Sequence, residues 1–215
     1  MGSSQKKITD KTRQKQRDAL AAALQCFTEH GFEATTIEMI RDASGMSVGS
    51  LYHHFGNKEK IASALFREGM RGYARIVKQY ATDLMANSPE PGLEQGIKML
   101  VYANVDWISG NPDWARFVFH HRFTVTQSGD EGAFRGDISD FRKMLSSWAR
   151  FMGVAEFDSL DINFVSSLIT GPTHNYARQW LAGRVKTPLS EHREAFAEAA
   201  WAAVQGVLIK GSSTS

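Results

Sequence analysis

Apolar positions recur at helical spacing along almost the whole chain and strand-like alternation is nearly absent, so the pattern predicts an all-α fold. The first helix is expected to run to about His30, with Leu20, Leu24 and Phe27 on one face. Gly31 follows where a left-handed cap is wanted, which puts Phe27 and Phe32 at the two positions that touch in a Schellman ending. Thr35, Ile37, Glu38 and Ile40 open a short second helix, with Thr35 and Glu38 at capping-box spacing and Gly45 as its end. Ser47 is placed to cap a third helix reaching Phe55, and Asn57 to cap a fourth that begins at Lys58.

The fourth helix reads as long and as a bridge between two domains. Ile61, Leu65, Tyr73, Val77, Tyr80 and Leu84 keep its period until Asn87-Ser88-Pro89-Glu90-Pro91-Gly92 breaks it. Further helices are expected over 93–109, 112–125 and 134–152, with a polar loop over 126–132. The last two should cover about 161–181, kinked or interrupted near Gly171-Pro172, and 191–209. Two short helices joined by a glycine turn, with a supporting helix before and a capped one after, form a helix-turn-helix over residues 35–56. The expected partition is a DNA-binding three-helix domain at 1–60, a helical bundle at 61–210 and a disordered tail at 211–215.

Charge sharpens this division. Residues 1–60 hold nine Lys or Arg against seven acids, while the rest balances at 16 against 16. Between Lys6 and Arg17 six positive charges face Asp10 alone, a basic arm suited to a phosphate backbone or, more blandly, a solvated terminus. The 42% hydrophobic and 22% charged content is ordinary for a globular chain, and no apolar run approaches the roughly 18 residues of a membrane span. Residues 1–17 have no apolar core of the kind a secretory signal needs. The single cysteine, Cys26, excludes an internal disulfide and fits a reducing compartment. A cytoplasmic protein with no membrane partner is the expectation.

Residues 13–61 resemble the N-terminal domain of the TetR family of repressors. The matching elements are Gly31-Phe32, Thr35-Thr36-Ile37, Ile40, Ala43, Gly45, Ser47, Gly49, Leu51-Tyr52-His53-His54-Phe55 and Asn57-Lys58-Glu59. They cover about a quarter of the chain; the remainder is similar only in length and helicity. The resemblance implies DNA contacts from Ser47, Val48, Gly49, Tyr52, His53, His54 and Lys58, with support from Thr36. Hydroxyls and helix-start amides at Thr36 and Ser47 suit phosphates, Gly49 permits close backbone approach, and Tyr52 can donate to a phosphate. Lys58, in the first turn of the fourth helix, would join the helix dipole in binding an anion. Leu51 and Phe55 are assigned to the core. Val48 lies on nearly the same side, so packing and contact with a thymine methyl both stay open, and base reading would then fall to Ser50, His53 and His54. Arg41 stands open between phosphate contact and surface charge. The adjacent histidines diverge on a helix and have no accompanying carboxylate or cysteine cluster, so neither a metal nor another cofactor is expected.

For the bundle the resemblance implies a small-molecule pocket whose occupation moves the long fourth helix and releases the operator. The best candidates for lining it are Tyr102, Trp107, Arg116, Phe117, His120, His121, His174 and Arg178, with Asn104 and Asn175 beside them. If they converge, an apolar effector with one polar or anionic end suits them. The final helix shows Phe196, Ala200, Ala203, Val204 and Val207 along one stripe, with Ala199 and Gly206 beside it. The resemblance tips this towards a homodimer through the last two helices. The expected function is thus a ligand-responsive regulator binding a palindromic double-stranded DNA operator. The alternative is a helical small-molecule carrier or enzyme with no DNA-binding role. Against an enzyme, the sequence has no nucleophile elbow, phosphate-binding glycine loop or metal-ligand spacing.

Overall fold

Every regular element among the described residues, which are 10–88, 90–125 and 162–212 of a computed structural model, is helical. Helix α1 (Asp10–His30) buries Ala19, Ala23, Leu24, Cys26 and Phe27. It stops at Gly31, whose φ of 79° takes the left-handed conformation that side chains other than glycine's resist, and whose N–H donates to the Phe27 carbonyl at 3.0 Å. The Phe27 and Phe32 rings then meet at 5.3 Å, as the cap spacing predicts.

Helix α2 (Ile37–Ser44) is capped by Thr36, whose hydroxyl oxygen accepts the Met39 N–H at 3.3 Å, and not by Thr35. The capping box expected from Thr35 and Glu38 gives way to a different job. Thr35 is 1% exposed, and its hydroxyl points back under the end of α1, within hydrogen-bonding distance of the Cys26 carbonyl (3.1 Å) and the Gly31 carbonyl (2.7 Å). The hydroxyl thus adds to the carbonyls at the end of α1, where Gly31 also accepts the Thr35 N–H at 3.2 Å, instead of capping the turn ahead.

Gly45, with φ 67°, closes α2 as expected. Helix α3 (Val48–Phe55) is capped by Ser47, whose Oγ accepts the Ser50 N–H at 3.2 Å. Helix α4 (Lys58–Asn87) is capped by Asn57, whose Oδ1 accepts the Lys60 N–H at 2.8 Å. Ile40, Leu51, Ile61 and Leu65 are fully buried, whereas Phe55, assigned to the core, is only half-buried.

The remaining described helices are α5 (Leu93–Gly110), α6 (Pro112–Val125), α7 (Ile162–Leu181) and α8 (Arg193–Ser212), with a 3₁₀ turn over Leu189–His192 before the last. Helix α7 runs unbroken through Pro172, where an interruption was expected; the proline is exposed on the helix surface. Helix α8 reaches Ser212 and so takes in the start of the stretch expected to be a tail. Its Ala197, Ala200 and Val204 are buried, while Ala199, Ala202 and Gly206 are exposed. The expected helix at 134–152, the loop at 126–132, Lys6 and Lys7 lie outside the described residues.

Contacts divide the chain into two compact units. One takes α1 to α3, α4 as far as Glu68, and α6 from Phe117; the other takes α4 from Gly69, α5, the start of α6, α7 and α8. In the second, α5, α7 and α8 pack on one another around Val101, Val105, Ile108, Ala177 and Ala200. Among the described residues no helix is long and apolar enough to cross a membrane.

Thr35→Val keeps the shape and removes the hydroxyl, leaving buried carbonyls short of a donor. It should lower unfolding free energy by about 1–3 kcal/mol, with Thr35→Ser losing less, as read by urea denaturation.

Candidate nucleic-acid interface

Burial sorts α3 into two sides. Leu51 is 1% exposed, whereas Tyr52 is 52% exposed, with Ser47, Gly49 and His53 also exposed. Val48, Ser50 and His54 are half-buried. Val48 therefore sits between core and surface, less enclosed than Leu51, whose side of the helical wheel it nearly shares. The His53 and His54 rings lie 5.3 Å apart, edge to face. A side chain on Gly49 would meet nothing within 4 Å, so no contact inside the chain accounts for a glycine there.

Arg41 and Lys58, two permanent cations flanking α3, are both occupied. Arg41 donates through Nε and Nη2 to the two carboxylate oxygens of Asp42, at 2.7 and 3.0 Å, and this pairing holds the Asp42 carboxyl below its usual range. Lys58, expected to bind a phosphate, turns the other way. Its ammonium donates to the carbonyls of Phe32 (2.9 Å), Glu33 (3.2 Å) and Thr35 (3.0 Å), and sits 4.6 Å from the centre of the Phe32 ring. An ammonium has three N–H donors, and all three have acceptors here. The reason is local: the α1–α2 loop offers carbonyls that no helix serves, and the Phe32 face adds cation–π attraction. Helix α3 itself contains no lysine or arginine.

The residues expected to line an effector pocket are divided between the two units, and several are engaged with other partners. Phe117 belongs to the other unit, stacked on Phe27 of α1 at 5.7 Å, because α6 leaves the bundle at that point. His120 is exposed in that same unit, and the side chain of His121 lies outside the described residues. Arg116 donates to the Leu181 carbonyl at the end of α7 and pairs with Asp113 at 2.6 Å. Tyr102 donates to Glu194 at 2.9 Å, and the Arg193 guanidinium lies 3.8 Å over its ring. His174 is half-buried and Arg178 exposed on α7. Trp107 is buried against Tyr73 at 5.8 Å.

Two features of this unit go beyond the sequence reading, which names Asn104 only beside the pocket candidates. Burial pushes the Tyr73 phenol up to about 12, against a hydrogen bond from Asn104. Asn104 Oδ1 and Thr173 Oγ1, on residues 4% and 0% exposed, have no partner among the described residues. Tyr80 of α4 donates to Asp106 of α5, and Arg193 of α8 binds both, reaching Asp106 Oδ1 and the Tyr80 hydroxyl at 3.1 Å each. The three positions are too far apart in the chain for any spacing to have joined them.

Residues 19–65 match the family model for bacterial regulatory proteins of the tetR family. The HTH-type transcriptional repressor AcnR of Corynebacterium glutamicum is 39% identical over 70 residues, 33% of this chain and 37% of that protein. The HTH-type transcriptional repressor KstR2 of Mycobacterium tuberculosis is 50% identical over 48 residues, 22% and 23% of the two chains. The similarity thus spans little more than a third of the relatives' own length. A TetR family transcription regulator from Marinobacter aquaeolei superposes on 90% of this chain and 96% of its own, with a TM-score of 0.68 and 19% identity, which extends the likeness of fold to the bundle.

Gly49→Ala should raise the unfolding midpoint, by the equivalent of up to about 1 kcal/mol, because alanine is the better helix former. It should at the same time weaken binding to duplex DNA, measured by fluorescence anisotropy. Unchanged affinity would show that nothing approaches the backbone there.

Proposed function

We propose that the chain, whose residues 19–65 match the family model for tetR regulatory proteins, is a transcription repressor of that family that binds a palindromic operator as a homodimer and releases it when a small molecule occupies the C-terminal unit. The observation that carries the DNA half is the side of α3 that turns Tyr52, Gly49 and His53 outward from a firmly capped helix-turn-helix. Ser47, Gly49 and Thr36 bring hydroxyls and backbone amides to phosphates, Tyr52 donates its hydroxyl to another, and Ser50, His53 and His54 read base edges with Val48 beside them. The basic arm continuing into Arg13, Lys15 and Arg17 supplies the electrostatic term.

The effector half is supported by Asn104 Oδ1 and Thr173 Oγ1, buried polar atoms that an incoming hydrogen-bonding group would serve. Trp107 and His174 are the remaining sequence candidates for that site. Dimerisation through α7 and α8 is supported by the exposed Phe164 on the first and the small exposed residues Ala199, Ala202 and Gly206 on the second, which permit close approach of a second copy.

Selection from a random duplex pool tests the reading: it should return an inverted repeat, and a pool without enrichment would sink it. Tyr52→Phe should weaken binding to selected and random duplexes by similar factors, since a phosphate contact carries no sequence information. Sedimentation at micromolar concentration should show a dimer.

A further inference from the structure

We propose that Lys58 is a positioning residue for sequence reading, holding the helix-turn-helix closed from inside and making no contact with phosphate. The inference rests on the DNA binding proposed for α3. Lys58 is the first residue of α4 and follows α3 by two residues; its three acceptors, Phe32, Glu33 and Thr35, run up to the Thr36 cap of α2. The ammonium therefore joins the chain just before α2 to the chain just after α3. On its far side Thr35 is anchored in turn to the end of α1 through its hydroxyl. The angle at which α3 is presented is fixed by this closure, because α2 and α3 are short and joined by a glycine turn that carries little stiffness of its own.

An ammonium suits the position and a guanidinium does not. Three N–H donors diverging from one nitrogen can meet three carbonyls gathered around it, whereas the arginine fork is flat and sends its donors out in one plane. Charge alone would satisfy a phosphate equally well from either residue. The two roles therefore separate cleanly in a Lys58→Arg variant.

The test compares wild type, Lys58→Arg and Lys58→Met on a duplex selected by the wild type and on a random-sequence duplex of equal length, across a salt series. Measurements are made at a temperature where the near-ultraviolet circular dichroism of each variant is that of the folded protein; Lys58→Arg keeps the experiment decisive if Lys58→Met does not fold. Positioning predicts that both variants lose selected-over-random preference by about tenfold, the scale of one lost base-pair contact, while the slope of log affinity against log salt stays as in the wild type. A slope lowered by about 0.9 per subunit in Lys58→Met, with Lys58→Arg unaffected, would mean a phosphate contact and overturn the proposal. Preference and slope both unchanged, with only the melting temperature lowered, would reduce Lys58 to a stabilising residue and overturn it equally. If the wild type itself selects no sequence, the DNA-binding reading fails, which is a different result from any of these.

Discussion

The chain between α1 and α2 has to turn sharply, and in turning it frees carbonyls that neither helix can serve. The N-terminal unit answers with two side-chain donors. One is the Thr35 hydroxyl, sealed beneath the end of α1; the other is the Lys58 ammonium, arriving from more than twenty residues further along. Hydrogen bonds to a charged donor are roughly twice as strong as neutral ones, so the long-range member is also the stronger. Capping at Thr36, the burial of Ile40 and Leu51, and the orientation of α3 all presuppose that this turn holds its shape. A substitution that kept the charge and changed its geometry would leave the turn without its donor.

Helix boundaries in this unit were legible because each carries its own local chemistry. Gly31 and Gly45 are needed where φ is positive, and Ser47 and Asn57 stand where an orphan N–H needs an acceptor. What could not be read locally was the choice between Thr35 and Thr36 as cap. Adjacent threonines are equivalent to a spacing rule, and only the burial of the first, set by α1 folding over it, decides between them. The partners of Lys58 were hidden for the same reason. A lysine in a first turn next to a presumed DNA face invites a phosphate, and the carbonyls that claim it become neighbours only after the unit has folded.

The second unit shows the converse limit. Its described helices were legible from period, yet the partners of its polar residues were not, because they come from three separate helices. Tyr102 and Arg116 looked available for a ligand and are engaged: one with Glu194 and Arg193, the other with the end of α7. Phe117 looked like bundle and packs on Phe27, since a helix with continuous apolar period can change allegiance partway without leaving a mark in its pattern. Asn104, one of many polar residues on the middle helices, is set apart only by the absence of a partner for its buried carbonyl oxygen.

Helix α3 carries two histidines and no residue of permanent positive charge. A protein scanning DNA is held to random sequence by counterion release, and that hold is as strong as the charges brought to the backbone. Arg13, Lys15 and Arg17 stand in the first turns of α1, and no such charge stands on α3, the helix proposed to read. On the proposed DNA binding, holding and reading fall to different parts of the chain: the arm keeps the protein near the duplex while α3 enters the groove with little electrostatic adhesion of its own. Wrong sequences would be released on the time scale of the arm's contacts, and time spent at the right one would depend on the fit of neutral groups.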